Sequence, residues 1–174
     1  MTQLEFYKSE DRSYITDREW TDTLMPLVHR KVAPYMVKVA PQEEDQKRNT
    51  DLIVAYPRVQ VHLRTYDVYD SPWRDNFAIR SYRPNTLNTE LYKCLVEGYG
   101  DAVFRGICNP DKQSLACWLF GDLNVWRPWF WTEIAYGRVP WCDVIRNKSD
   151  VTGGLDFELN RLPPEFLIAQ EGHL

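Results

Sequence analysis

Asp51, Gln60, His62 and Arg64 form the one compact set of polar groups in this chain whose types and spacing suit chemistry. They fall in the stretch NTDLIVAYPRVQVHLRTYDVYDSPWRDNFAIRSY, which starts at Asn49. In a strand, successive side chains point to opposite faces, so Val59, Val61 and Leu63 take one side of VQVHLRT and Gln60, His62 and Arg64 the other. Asp51 stands at the mouth of the preceding extended run, where its carboxylate can converge with that polar row. A carboxylate heading one strand, with alternating polar groups on the next, suits metal-dependent phosphodiester hydrolysis. Asp51 would hold Mg²⁺ with Gln60 as the second oxygen ligand, and His62 would be the basic group. Arg64 would grip phosphate, with Arg58 and Arg80 as further nucleic-acid contacts. A further carboxylate for the metal comes from Glu43, Glu44 or Asp45 in the charged segment PQEEDQKRN.

These residues need a sheet to hold them. Asp51 to Tyr56, Val59 to Thr65 and Phe77 to Tyr82 are three short apolar runs separated by Pro, Asp and Ser, the signature of a β-meander. Before them, Thr16 and Glu19 make a capping-box pair, and apolar residues from Leu24 to Val39 recur at helical spacing. Pro26 and Pro34 predict a kinked helix or two shorter ones. After the meander, Asn85 and Thr86 start a helix that Gly98 ends, with Glu90, Lys93 and Glu97 on its solvated face. DAVFRGIC and SLACWLF read as a hairpin turned at Asn109 to Asp111. The aromatic-rich segment DLNVWRPWFWTEIAYGRVPW, interrupted by Pro128 and Pro140, reads as too irregular for a helix and as closing the core. Gly153 and Gly154 read as a hinge before a docking tail. The fold class expected is therefore α/β: a mixed, twisted sheet of about five strands flanked by helices. One domain spans 1–174, with 1–15 an irregular arm and 150–174 the tail.

Composition narrows the functions. A net charge of −4 gives no global attraction to phosphate backbones, so nucleic acid would need a local basic patch such as Arg58, His62, Arg64, Arg74, Arg80 and Arg83. Aromatic residues make up 14% of the chain, a load that fills a core or marks a partner surface. Cys94, Cys108, Cys117 and Cys142 lack the spacing of a zinc or redox motif and read as buried thiols in a reducing cytoplasm. No secretory leader or membrane-length apolar run is read, so no membrane partner is expected. The nucleophile elbow, the phosphate loop and the dinucleotide fingerprint are all missing, which removes acyl transfer and nucleotide-triphosphate hydrolysis.

The order of blocks resembles a known core. A helix with acidic residues, TDLIVAY, a strand with Q-V-H, FAIRS, a helix and AVFRGIC looks like the PD-(D/E)XK, or restriction-endonuclease-like, superfamily. TDLIV, FAIRS, TELYKCLVEGYGDAVF and WLFGDLNVWR are also similar to blocks of uncharacterised phage and prophage proteins, over about residues 40 to 130. In that resemblance Asp51 matches the motif aspartate, Gln60 the position usually held by Glu or Asp, and His62 the lysine position. Gln removes a charge from the metal site, and His exchanges a permanent cation for one that titrates near neutrality. The resemblance implies a phage-type nuclease-like protein. Its alternatives are an inactive nuclease-fold protein that binds or inhibits a host protein complex through its aromatic surface, and a virion or assembly component.

Overall fold

The computed structural model describes residues 22–43, 52–65, 76–109, 111–138, 142–146 and 152–172. Thr16, Glu44, Asp45, Asp51 and Arg74 lie outside them, as do residues 1–15, so the calls made on those positions stay expectations. The architecture is mixed α/β with open sheets. Helix α1 covers 22–36 without a break, one helix through Pro26 and Pro34 where a kinked helix or two shorter ones were expected. Strand β1 (Val37–Val39) follows it and pairs antiparallel with β2 (Leu52–Val54). Next come β3 (Val59–Thr65), β4 (Asn76–Tyr82), helix α2 (Glu90–Leu95), β5 (Ala102–Cys108) and β6 (Leu115–Asp122). Helix α3 (Leu123–Ala135) precedes β7 (Cys142–Arg146), β8 (Gly153–Glu158) and β9 (Leu167–Glu171).

All three runs of the expected meander are strands, but they belong to three different sheets. The order is β1-β2 in one, β3-β5-β6-β9 in the second and β4-β8-β7 in the third. The single five-stranded sheet is thus corrected to sheets of two, four and three strands. The redirection begins at Pro57 and Arg58. The Arg58 carbonyl accepts the amides of Asp101 and Ala102 at 2.7 and 3.3 Å, which lays β3 parallel to β5. A parallel pair needs a long crossover, and the intervening chain, with β4 and α2, supplies it. The β5–β6 hairpin is as expected.

Two further expectations fail. The aromatic-rich segment forms the 13-residue α3, with the Asp122 side chain capping the Asn124 amide. Pro128 inside a helix costs about 3 kcal/mol. Burying Leu123, Trp126 and Phe130 returns about 1.5–3 kcal/mol each, so packing outweighs the proline. The glycine pair is no hinge: both residues lie in β8, the middle strand of its sheet, and Gly154 is so close to the Ile79 carbonyl that a Cβ would sit 3.0 Å away. The tail is structural as well, because β9 extends the four-stranded sheet.

The four-stranded sheet has apolar layers on both sides. Leu24, Val28 and Val32 of α1 pack with Leu63, Phe104, Trp118 and Phe120 on one face. On the other, Val103 meets Phe77 and Ile79 of β4, Cys94 of α2, Trp126 and Phe130 of α3, and Phe157 and Phe166. Every residue of β5 is buried, as expected of a strand covered on both sides.

Candidate functional site

The polar row of β3 lies on the second of these faces, at the edge of the sheet beyond the apolar layer. Val59, Val61 and Leu63 join the α1 core, as the alternation requires, and Gln60 and His62 face the other way. β3 is an edge strand of its sheet, and its register sets His62 beside Arg105 of β5. Arg105 is buried to 6% exposure within an otherwise apolar strand. A guanidinium in that position is tolerated only where polar groups compensate it.

Among the described residues, an acid reaches His62 from the crossover helix. It is Glu90, the first residue of α2, whose Oε2 lies 3.9 Å from His62 Nε2. The same oxygen accepts the Arg80 backbone amide of β4 at 3.2 Å. Glu90 therefore ties the crossover helix to both sheets, where the sequence placed it on a solvated face with Lys93 and Glu97. The Thr89 side chain accepts from the Tyr92 amide and caps the helix, so the start moves from Asn85 and Thr86 to Thr89. That shift makes Glu90 the first residue of the helix, where its carboxylate reaches the Arg80 amide, and leaves Glu97 beyond the helix end. A negative side chain in the first turn also suits the helix dipole.

Gln60 is held by the loop that follows α2. Its Nε2 donates to the Tyr99 carbonyl at 3.1 Å. Gly100, at φ +74°, lies against the amide so closely that a Cβ would come within 2.7 Å of Nε2. The loop is itself held by Arg127 of α3. The guanidinium donates to the Cys94 carbonyl through Nε at 2.8 Å, to the Tyr99 carbonyl through Nη2 at 2.8 Å, and to the Gly100 carbonyl. Its Nη1 donates to Asn124 Oδ1 at 2.9 Å. Arg127 and Gln60 thus share one carbonyl, and α3 fixes the position of the polar row from a distance.

The arginines expected at the phosphate are distributed differently. Arg58 is bound by both oxygens of Asp101, with Nε and Nη2 at 3.2 and 3.1 Å, while its backbone amide donates to Oδ2 at 2.9 Å. The guanidinium holds the Asp101 carboxyl below the usual carboxylate range. Arg58 therefore already has its counter-ion, which makes it a poorer phosphate ligand than expected. Arg80 contributes its backbone amide to Glu90 and has a half-buried side chain. Arg64 is in register with Ile107, on the His62 side of β3, and its side chain lies outside the described residues.

Glu90 and Arg105 are the members that sequence reasoning missed. Arg105 carried a signal, since a charged residue in the middle of DAVFRGIC is expensive without a partner. For Glu90 the helix start had to be known first. Among the described residues no group of three or more His, Cys, Asp or Glu lies close enough to hold a metal. Cys94 is no alternative nucleophile, because burial pushes its thiol up. No described helix is long and apolar enough to cross a membrane. No family model, curated protein or solved structure matches the chain.

Proposed function

We propose that this is a phage-type, nuclease-like protein that acts on phosphodiesters of nucleic acid at the polar face of β3. The observation that carries the reading is the Glu90 carboxylate at the imidazole of His62, with Gln60 two residues away on the same face. A carboxylate beside a histidine orients the ring and favours the positive charge it acquires on taking a proton. His62 takes the proton of an attacking water or returns one to the leaving oxygen, and the nearby Glu90 charge favours the protonated ring in that exchange. Arg105, next in register, adds positive potential where a phosphate would approach.

In this reading Mg²⁺ would be held by Asp51 with Glu44 or Asp45 and by Gln60, and it would polarise the phosphate. The described residues by themselves do not make a metal centre, and Gln60 is already tied to Tyr99 through its amide nitrogen. The test is hydrolysis of single- and double-stranded DNA and RNA with Mg²⁺ or Mn²⁺ titrated in. His62→Ala should lower the rate about 10²–10⁴-fold, the range of a positioned acid–base group, and Asp51→Ala should abolish metal-dependent cleavage. Cleavage at the wild-type rate by His62→Ala would end this reading.

A second reading is an interaction protein that keeps the scaffold without cleavage and binds a host protein. It is favoured by large apolar side chains left on one side of α2 and α3, among them Leu87 at 80% and Val96 at 60% exposure. Capture of a host protein by a variant lacking His62, with no hydrolysis by the wild type, would select it.

A further inference from the structure

Beside α2 the chain forms an open trough of about 600 Å³, within the size range of ligand sites. It runs from the end of β4 past the 85–89 turn, along α2 and up to α3. Three aromatic rings stand around it half in solvent: Tyr82 from β4, Tyr92 from α2 and Trp131 from α3. Arg83 is the one formally charged residue among the described residues lining it. In a chain of net charge −4 this is a local reversal of sign. Asn85 and Thr86 add amide and hydroxyl groups that can meet the edges of a base.

We propose that this trough binds single-stranded nucleic acid, stacking unpaired bases on Tyr82, Tyr92 and Trp131 and setting a phosphate on Arg83. Exposed rings with a cation suit a ligand that is both aromatic and negatively charged. Base pairs in a duplex hide the faces such rings would stack on, so single strands are the occupant. The inference rests on the reading above and gives it a substrate class. The trough and the polar row share α2: Thr89 and Leu91 line the one, while Glu90 between them meets His62 in the other. A strand lying along the end of β4 therefore leads to the Glu90–His62 pair.

The test is fluorescence anisotropy with a labelled dT or rU 12-mer and the matching duplex, in EDTA so that no metal-dependent cleavage intervenes. Wild type should bind the single strand more tightly than the duplex. Trp131→Ala and Tyr92→Ala should each weaken it about tenfold, within the range for loss of one stacked base. Arg83→Ala should lower the salt slope by about one. Tyr136→Ala, at an exposed aromatic outside the trough, should change nothing. Because these side chains are on the surface the variants should fold, which circular dichroism checks. Hydrolysis of bis(p-nitrophenyl) phosphate, a small diester that needs no stacking, separates the two claims. If wild type cleaves it and the trough variants bind the oligonucleotide as wild type does, the trough inference is overturned and the polar-row reading stands. Lost stacking without any diester cleavage supports the trough and removes the hydrolytic reading. Tighter binding of duplex, or a trough that takes a protein partner and no oligonucleotide, also overturns the inference.

Discussion

The two faces of β3 differ more than their one-residue offset suggests. Val59, Val61 and Leu63 lie against α1 in a layer of apolar side chains. Gln60 and His62 meet a carboxylate, a backbone carbonyl and a neighbouring arginine strand-position on the other side. One face therefore contributes stability through area removed from water. The other holds polar groups at fixed separations, each approached by a group from a different element. Apolar contacts are non-directional and tolerate repacking, whereas the polar face depends on α2, the 99–100 loop and α3 all being in place.

The comparison can be broken by substitution. The largest effect is expected for Trp126→Ala, which empties the centre of the layer behind the polar face and should cost about 3–5 kcal/mol in urea unfolding. Trp126→Phe should cost far less, since among the described residues the buried indole Nε1 has no hydrogen-bond partner that its loss would leave unsatisfied. Next, the neighbours Leu63 and His62 should separate cleanly in the same assay. Leu63→Ala should cost about 2–5 kcal/mol and His62→Ala under about 1 kcal/mol, because Leu63 is core and His62 is half-buried at the sheet edge. Equal costs would show that the polar face is merely more core. Arg127→Ala should lower stability by about 2 kcal/mol, the scale of charge-assisted hydrogen bonds lost from three carbonyls. It should also loosen Gln60, seen as faster amide exchange at Tyr99 and Gly100.

The smallest effect concerns Tyr56, a titrating group within the apolar layer. Burial, then the hydrogen bond from its hydroxyl to Asp122 at 3.0 Å, raises Tyr56 from 10 to about 12. A folded-state value above the unfolded one stabilises fully below pH 10 and loses that contribution as pH rises towards 12. Wild type should therefore lose stability over that window, and Tyr56→Phe should lose less, by urea midpoints measured at pH 9 to 12. An identical decline in both would assign the alkaline loss to other groups.

Much of the secondary structure was legible. VQVHLRT alternates, AVFRGIC is continuously apolar but for one arginine, and SLACWLF follows a turn of Asn, Pro and Asp; each is a strand at the place expected. The aromatic-rich segment misled because Pro128 argues locally against a helix, while the burial that overrules it comes from β4, β8 and the 3₁₀ turn at Pro164–Phe166. Gly121 shows the same thing: the reason for a glycine there is Phe166, 45 residues on, whose ring would lie 2.4 Å from a Cβ. Within the candidate site, the facing of Gln60 and His62 was legible and Glu90 was not.

Side-chain alternation is a property of the extended chain itself, so the sequence alone determined which residues of β3 share a face and which of them could meet water. Strand pairing joins residues far apart in the chain, and nothing local in NTDLIVAYPRVQVHLRT says that its partner is AVFRGIC and not its neighbours. Only the tertiary structure decided that α2 would cross between the sheets and bring a carboxylate to the imidazole. The reason is physical: α2 is short, its start is fixed by the Thr89 cap and its place by packing against β4 and α3, and this sets the first-turn Glu90 at the Arg80 amide and near His62.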